Sequence, residues 1–479
     1  MRVRSGWPAV SDCAAWGHPL ICPAANCEAA MYSILNEAAR ASQRYLESLN
    51  TRAVVPDAGA VKALSKLDEP FPAASSDPGE TLALLDQAVS PATMAMAGPR
   101  FFGFVIGGAL PVALGANWLA GAWDQNAGLY ESTPGVAHLE EVASRWLIEL
   151  FDLPAASSTG FVTGATMANF TALAAARHTV LWQAGWNVEA NGLFGAPMVT
   201  VIIGNEAHPT LLKSLGMLGL GRNRVVRVPV DEQGRMQADA LPKLEGPTIV
   251  CLQAGNVNTG AFDPFEPLIE AAHAAGAWVH VDGAFGLWAK AAPSLRYLTE
   301  GLELADSWAT DAHKWLNVPY DSGLAFSRDT DAMRASMAIT AEYLPSESPH
   351  RNPSDYAPEL SRRARGVEVW AALRSLGRAG LAGLVERNCR HARRFAEGLR
   401  GSGHEVLNEV VLNQVLISFG DAPRTRAVIA AVQKEGTCWC GPTVWQGRTA
   451  MRISVSNWAT TDNDVDQSLE AIHRAAESI

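Results

Sequence analysis

The sequence predicts an α/β protein with a mostly parallel sheet, followed by a smaller C-terminal α+β domain. From Phe151 onward, short apolar runs alternate with helical patterns, which is typical of a parallel sheet with helices on both faces. After about residue 350, long amphipathic patterns and two strand-like runs replace this alternation. A chain of 479 residues, 48% hydrophobic and 18% charged, is large enough for the two cores that this division requires.

The elements follow from the local patterns. Apolar runs predict strands of the large sheet over residues 197–204, 248–254, 277–285 and 322–327, with a helix over Pro267–Ala275. Helical spacing begins at Met31. In the C-terminal part, the patterns predict helices over 361–377 and 381–400 and strands over 411–419 and 450–456. The predicted domains are an irregular extension (1–30), a helical segment (31–95), a large domain (96–350) and a small domain (351–479).

Composition argues against several classes of function. The 38 basic and 49 acidic residues give a net charge of −11, which makes the chain a poor candidate for a general nucleic-acid-binding protein. Seven cysteines are too few for a disulfide scaffold. Those near the start, Cys13, Cys22 and Cys27, match no common zinc spacing, so we predict no metal site.

Two stretches without any charged residue, Phe101–Trp123 and Leu153–Ala176, are long enough to raise the question of a membrane span. Both contain glycine and asparagine, and fit a buried core with ligand-binding turns better than a lipid-facing helix. The first residues show no basic, apolar and small-residue leader. We therefore expect no membrane association and a cytoplasmic location.

The segment Asp306–Leu316 carries the most informative chemistry. It places Lys314 between His313 and Trp315 in a largely uncharged run. A lysine in partly apolar surroundings loses its proton more readily and can then attack a carbonyl. The alternative is a surface lysine beside an aromatic residue.

Two polar residues follow predicted strands. Asp282 ends an apolar, β-branched run, and His208 comes just after the run 197–204. Ligands of open α/β sheets bind at the carboxyl ends of strands, where a carboxylate can hold a protonated ring nitrogen and an imidazole can stack on a flat ligand. The alternatives are a turn or cap aspartate and a structural histidine.

A run of small residues, Thr163–Thr166, precedes a helical pattern over Met167–Arg177. Small residues at a helix start let backbone N–H groups approach an anion, although an ordinary helix cap has the same composition. The chain order is thus an anion loop, a candidate stacking histidine, an aspartate and, 32 residues after it, a lysine. These are the groups that pyridoxal phosphate requires.

On these residues the chain resembles the fold-type-I pyridoxal-phosphate enzymes, and specifically the group II amino-acid decarboxylases, which include the glutamate and aromatic-L-amino-acid decarboxylases. The resemblance covers about residues 31–479. Its most specific segments are WVHVDGAFG (278–286), GNVNTGAFDPF (255–265) and ADSWATDAHKWLNVPYDSG (305–323), supported by RFFGF (100–104) and LSRRARGVEVWAALRSLG (360–377). It implies a seven-stranded large domain, a pyridoxal 5'-phosphate cofactor and a homodimer with shared active sites.

The resemblance also implies roles for individual residues. Lys314 would form the Schiff base with the cofactor, Asp282 would pair with its ring nitrogen, and His208 would stack on the ring. Together they make the catalytic centre.

The phosphate would be held by Thr166 and the backbone of Ala165 and Met167, with His313 nearby. Asp311 stands where the aromatic decarboxylases have asparagine. Since a carboxylate beside a phosphate is electrostatically unfavourable, we expect Asp311 to contribute its backbone N–H or to face away.

The substrate pocket departs from the aromatic enzymes. Their Phe-Pro-Thr is replaced by a run beginning at Val105, and an aromatic cluster is replaced by Asn126–Tyr130. Asn126 and Tyr130 would suit a polar or acidic side chain. By position in the family, Arg452 would bind the substrate α-carboxylate, and the alternative is a structural arginine.

A long loop is predicted over Met337–Pro358, between the two domains. In the group II decarboxylases that this chain resembles, a tyrosine of such a loop protonates the substrate Cα. Tyr343, 29 residues after Lys314, falls at that place. The alternatives are an ordinary loop tyrosine or the nearby Tyr356.

The sequence therefore predicts a carboxy-lyase that converts an L-amino acid to its amine and CO2. A relative that performs transamination, oxidative aldehyde formation or another Cα cleavage is one alternative. A cofactor-binding protein without catalysis and an unrelated α/β protein with chance motifs are the others.

Overall fold

The computed structural model of the chain describes residues 25–339 and 349–479. Two compact units are distinguished, Met1–Gly98 and Pro99–Ile479. Tyr343 and most of the predicted N-terminal extension lie outside the described residues. The predicted domain limits at residues 30, 95 and 350 stay predictions.

The first unit contains helices α1 (Ala25–Ser48), α2 (Ala58–Ala63) and α3 (Pro78–Leu84). Aspartates begin the two short helices, as expected of residues that accept hydrogen bonds from free N–H groups. Asp57 accepts from the backbone N of Ala60 at 2.8 Å, and Asp77 accepts from that of Gly79 at 2.8 Å.

The second unit holds all the strands that the described residues form. Its helices are α4 (Pro111–Trp123), α5 (Pro134–Leu150), α6 (Ala165–Gln183), α7 (Val188–Asn191), α8 (Pro209–Met217), α9 (Phe265–Ala274), α10 (Thr330–Met337), α11 (Gly366–Gly401), α12 (Ala422–Glu435) and α13 (Asp462–Glu477). Its strands are β1 (Ser158–Val162), β2 (Thr200–Gly204), β3 (Val226–Val228), β4 (Thr248–Gln253), β5 (Trp278–Asp282), β6 (Ser307–Asp311), β7 (Gly323–Ser327), β8 (Glu405–Val406), β9 (Gln414–Ser418), β10 (Gly441–Trp445) and β11 (Arg448–Ser454).

Seven strands form one sheet in the order β1-β7-β6-β5-β4-β2-β3. All neighbours pair in parallel except β7, which is antiparallel to both β1 and β6. The predicted α/β class and mostly parallel sheet are confirmed, and the four predicted strands of this sheet correspond to β2, β4, β5 and β7.

The C-terminal part forms a second sheet, antiparallel throughout, in the order β10-β11-β9-β8. Its apolar face packs with α11, α12 and α13 around residues such as Phe395, Ile417 and Ile472. The predicted smaller α+β domain is therefore confirmed. The two predicted helices of this part join in α11, which departs from helical geometry at Gly377, where φ is 57°.

Helix α6 explains how the sheet edge is built. Apart from Arg177 and His178 it carries no basic or acidic side chain, and 11 of its residues are buried, because it packs across β5, β6 and β7. Its start at Ala165 is consequently fixed against the carboxyl end of β6 and the amino end of the antiparallel β7. In the described part of the chain no helix is both long and apolar enough to cross a membrane.

Candidate active site

The residues predicted to bind the cofactor meet at the carboxyl edge of the large sheet. Asp282 is the last residue of β5 and Asp311 the last residue of β6. His208 caps α8 shortly after β2, and Ala165 begins α6 shortly after β1. The topology therefore brings together four segments that lie far apart in the sequence, as expected for a ligand site of an open α/β sheet.

Lys314 lies beside the start of α6. Its Nζ is 2.9 Å from Oδ2 of Asp311, and the other oxygen of that carboxylate accepts a hydrogen bond from the backbone N of Ala165 at 2.5 Å. Nε2 of His313 lies 3.5 Å from the same oxygen, Oδ1. The side chain of Lys314 is 18% exposed, so its amine is partly shielded yet accessible to a small molecule.

The orientation of Asp311 corrects the sequence-based expectation. Its carboxylate faces the site, and its backbone N–H donates to the carbonyl of Ala284 at 2.9 Å. The predicted alternatives, a backbone contribution to the phosphate or a side chain turned away, are both wrong for this structure. The physical reason is the cationic and N–H environment formed by Lys314 and Ala165, which stabilises a carboxylate.

A directional chain of hydrogen bonds holds Asp282 in place. Nδ2 of Asn169 donates a hydrogen bond to Oδ2 of Asp282 at 3.2 Å. Oδ1 of Asn169 accepts one from Nε2 of His280 at 2.8 Å. Nδ1 of His280 lies 2.9 Å from Oγ of Ser307, which accepts from Nε1 of Trp278 at 2.9 Å. Since Asn169 uses its N–H group on Asp282, its carbonyl must accept from His280.

Burial determines which of these hydrogen-bonded side chains are protonated. It lowers the pKa of His280 to about 3, so the imidazole is neutral and donates only through Nε2. Burial also raises the pKa of Asp282, while His208, Lys314 and the hydrogen bond from Asn169 oppose the rise. A protonated ring nitrogen next to Asp282 would supply the charge that favours its ionised form.

His208 has the geometry of a neutral imidazole. Its Nδ1 accepts from the backbone N of Thr210 at 3.3 Å and lies 2.7 Å from Oγ1 of the same residue. Burial lowers the pKa of His208, and Asp282 partly opposes this. His208 and Asp282 line one small pocket, together with the carboxyl end of β4. A flat ligand over Asp282 would therefore have a neutral ring beside it.

The surroundings of α6's first turn fit a phosphate group. A Cβ on Gly164 would lie 3.3 Å from Cε1 of His313, and one on Gly323 would lie 2.5 Å from the backbone of Gly164. The two backbone segments can therefore approach each other this closely only because both residues are glycine. Oγ of Ser322, which is buried, has no hydrogen-bond partner among the described residues. A free donor, small residues and a helix N-terminus are the groups that bind phosphate.

His313 lies flat against Tyr320, with ring centroids 4.2 Å apart and planes 28° apart. Its Nδ1 accepts from the backbone N of Ser322 at 3.2 Å. Burial lowers the pKa of His313 and raises that of Tyr320 to about 12, so both rings are uncharged near neutral pH.

Arg452 lies in β11 of the small domain and interacts electrostatically with His208. The only hydrogen bond of its guanidinium in the described residues runs from Nη1 to Oδ1 of Asn258 at 3.4 Å, and no carboxylate there lies within ion-pair distance. Burial lowers the pKa of this guanidinium, as expected for a cation that lacks a partner.

The backbone that contains Val105 passes close to Lys314. A Cβ on Gly107 would lie 1.8 Å from the carbonyl oxygen of Lys314, so glycine is required there. Val105 itself is buried in the main core and, like Phe104, has a positive φ, 60° and 55° respectively. Phe104 is exposed and stacks on Trp439 at 5.3 Å.

Other predicted residues show contacts away from Lys314. Asn126 accepts from the backbone N of Arg362 at 2.9 Å, and Tyr130 stacks on His350 at 3.8 Å. Arg351 lies over the ring of Tyr356 at 4.3 Å. Their assignments stay predictions.

Two further predicted residues lie in the first turn of α6. The carbonyl of Thr166 accepts from Oγ of Ser214 at 2.8 Å, which fixes its backbone. Met167 packs against the apolar cluster that includes Ala168 and Met333. Its side chain therefore belongs to the core, while its backbone N–H lies in the turn that would face a phosphate.

Sequence reasoning missed Asn169, His280, Ser307 and Ser322. His280 offered one signal, because residues two apart on a strand share a face and His280 is two before Asp282. Asn169 and Ser307 become part of the site only through pairing of distant segments.

The comparisons with known proteins agree with this geometry. The family model described as the pyridoxal-dependent decarboxylase conserved domain matches residues 64–420. Tryptophan decarboxylase 1 of Oryza sativa subsp. japonica is 26% identical over 92% of the chain and 93% of that protein. L-2,4-diaminobutyrate decarboxylase of Rhizobium meliloti (strain 1021) is 29% identical over 77% of the chain and 76% of that protein.

Two further matches are an aldehyde synthase and a solved structure. Phenylacetaldehyde synthase of Arabidopsis thaliana is 24% identical over 72% of the chain and 75% of that protein. The crystal structure of mouse CSAD superposes with a TM-score of 0.86 at 22% identity, covering 94% of this chain and 99% of that chain, and supports the fold. The family model spans more than half of the chain, so the chain belongs to the pyridoxal-dependent decarboxylases, carboxy-lyases that use pyridoxal phosphate.

Proposed function

We propose that this chain decarboxylates an L-amino acid to its amine, using pyridoxal phosphate held as a Schiff base on Lys314. The observation that carries the proposal is the convergence of Lys314, Asp282 and His208 at one sheet edge, next to a partly buried arginine without a carboxylate partner in the described residues. Bound there, the cofactor supplies an electron sink for negative charge that develops at the substrate Cα.

Each residue has a role that its surroundings support. Lys314 holds the cofactor through its amine. Asp282, oriented by Asn169, keeps a proton on the ring nitrogen. The neutral ring of His208 covers one face of the cofactor. The first turn of α6, with Ala165, binds the phosphate through backbone N–H groups.

Arg452 binds the substrate α-carboxylate in this proposal. A planar guanidinium binds a carboxylate with two parallel hydrogen bonds, and a substrate would provide the acid that the described residues do not. Holding the carboxylate would also orient its bond to Cα, the bond that decarboxylation breaks, and so favour CO2 loss over other cleavages.

The substrate is best identified by measurement. The purified enzyme, saturated with pyridoxal phosphate, should release CO2 and the matching amine from one class in a panel of aromatic, acidic and diamino L-amino acids. Release of CO2 without amine, or transfer of the amino group without CO2, would contradict the proposed reaction. The panel includes aromatic amino acids because the run beginning at Val105 replaces the Phe-Pro-Thr of the aromatic decarboxylases. Their turnover tests whether this replacement excludes aromatic substrates.

Tyr343 is proposed as the group that returns a proton to Cα and thereby gives amine rather than aldehyde. It lies outside the described residues, so the proposal depends on its position 29 residues after Lys314. A phenol with a pKa of about 10 can donate a proton there. Tyr343→Phe should reduce amine release and produce aldehyde with oxygen uptake, whereas Tyr356→Phe, the matched control, should not.

Amine release by Tyr343→Phe at the rate of the unmodified enzyme would contradict this role. If Tyr356→Phe produced aldehyde instead, Tyr356 would be the proton donor and the assignment would move to it. A homodimer in the cytoplasm completes the proposed function, and both of these features stay predictions.

A further inference from the structure

Asp311 brings a carboxylate to the end of α6 at which a phosphate would bind. Its side chain is almost completely buried. One oxygen accepts from the backbone N of Ala165 at 2.5 Å, and the other lies 2.9 Å from Nζ of Lys314. The carboxylate thus contacts the N–H group of Ala165 and the amine of Lys314. In the proposed function, the same two groups bind the cofactor.

The backbone prevents Asp311 from moving away as a unit. Its N–H donates to the carbonyl of Ala284 at 2.9 Å, and its carbonyl accepts from Nε1 of the buried Trp288 at 3.0 Å. Oδ1 lies 3.4 Å from the position that a Cβ on Gly164 would take. Only rotation of the side chain can remove the carboxylate from the first turn of α6.

We propose that Asp311 occupies the phosphate subsite of the cofactor-free chain and competes with the cofactor phosphate for the start of α6. The proposal rests on the proposed function, since it requires the cofactor to bind at Lys314. Two anions at one helix terminus repel each other in a poorly solvated site, so the phosphate contributes less to affinity than it would beside a neutral residue. Asp311 is therefore a residue that sets cofactor retention and selectivity.

The charge, rather than the hydrogen bond, is the decisive property. An asparagine at position 311 can still accept from the N–H of Ala165 through its amide oxygen, but it carries no charge. Asp311→Asn should therefore favour pyridoxal phosphate selectively. It should have little effect on pyridoxal, which lacks the phosphate but has the same ring and carbonyl.

The experiment titrates the full-length chain, depleted of cofactor, with pyridoxal phosphate and separately with pyridoxal, following the visible absorbance of the bound form. We expect Asp311→Asn to bind pyridoxal phosphate at least about tenfold more tightly than the unmodified chain, with a change in pyridoxal affinity below about threefold. Inorganic phosphate should compete more strongly in the same variant. Comparing the two aldehydes removes any effect of freeing Lys314, because that effect applies to both.

Asp321→Asn is the matched control. Asp321 also interacts with His313, but its carboxylate accepts from Nε of Arg365 at 2.9 Å and is half-exposed. It should leave the ratio of the two affinities unchanged. Asp311→Ser, a smaller neutral residue, should act as Asp311→Asn does and protects the test if that variant does not fold.

Equal or weaker binding of pyridoxal phosphate by both neutral variants, with unchanged attachment at Lys314, would overturn the role of Asp311 and leave the proposed function intact. Equal tightening for both aldehydes would also overturn it, because the phosphate would then play no part. Failure of every form to bind pyridoxal phosphate at Lys314 would overturn the proposed function together with this inference.

Discussion

Arg452 is the residue whose surroundings most directly indicate a missing anion. It is largely buried, its pKa is lowered by burial, and its hydrogen bond to Asn258 is long at 3.4 Å. A substrate carboxylate would satisfy it. We expect Arg452→Ala to raise KM about tenfold or more, because a charge-assisted bidentate contact contributes about 1.5–3 kcal/mol, and to lower kcat as well, because the carboxylate is no longer oriented.

The same strand offers a matched control for Arg452. Arg448 is exposed and pairs with Glu405 at the surface, so Arg448→Ala should leave both kinetic constants unchanged. Arg452→Lys keeps the charge and loses the bidentate fork, and should fall between the two. Unchanged KM in Arg452→Ala, measured on the substrate that the panel identifies, would show that this arginine is structural.

The sequence could reveal the site residues whose chemistry is visible locally. Lys314 stands in an uncharged segment, Asp282 ends an apolar run, and His208 follows another. The direction of the Asp311 carboxylate could not be predicted, because the N–H group of Ala165 that donates to it lies 146 residues away in the sequence. The prediction that Asp311 faces away considered only repulsion from the phosphate, and it was wrong because it left out the N–H group and the amine that the carboxylate contacts.

At the scale of elements, β5 and α6 together hold Asp282 through His280 and Asn169. Burial lowers the pKa of His280 from 6.5 to about 3. In the unfolded chain the imidazole takes up a proton below its ordinary pKa, while in the folded chain it stays neutral. Stability from this residue is therefore complete above about pH 6.5 and is lost as the pH falls toward about 3.

The prediction compares the unmodified chain with His280→Gln, which does not titrate. Between about pH 6 and about pH 5, the unmodified chain should lose about 1 kcal/mol more of its free energy of unfolding than the variant. Urea denaturation at both pH values measures this. An equal loss in the two proteins would show that His280 titrates normally in the fold. The pH-dependent difference is used because the variant's absolute stability also reflects lost packing.

The elements themselves were only partly predictable. Leu153–Ala176 contains β1, a turn and the start of α6, but all three are uncharged and rich in apolar and small residues, so no period separates them. The helix predicted from residue 361 begins instead at Gly366. Arg362 binds Glu140, and Arg365 binds Asp321, both at 2.9 Å. These distant ion pairs hold the preceding residues outside the helix, and local spacing carries no sign of them.

At the scale of the whole molecule, α4 presents an exposed apolar surface, which we propose as the contact with a second copy of the chain. It has no charged residue, and Trp118, Leu119 and Trp123 are 44%, 54% and 45% exposed. Exposed apolar patches of this kind mark protein interfaces. We expect the purified enzyme to sediment as a dimer and Leu119→Arg to sediment mainly as a monomer with reduced activity.

Trp182→Arg provides the control for this substitution. Trp182 is equally apolar and 60% exposed, but lies at the end of α6, so its replacement should leave the dimer intact. A monomeric unmodified enzyme with full activity, or a Leu119→Arg variant that remains dimeric, would contradict the proposed interface.

The decisive measurement is the site of covalent attachment. The enzyme with bound pyridoxal phosphate is reduced with borohydride, digested and mapped by mass spectrometry. We expect one pyridoxyl group on Lys314, whose amine lies beside Asp311 at the carboxyl edge of the sheet. Attachment at Lys213 or Lys290 instead, or no attachment to any lysine, would contradict the assignment of this site.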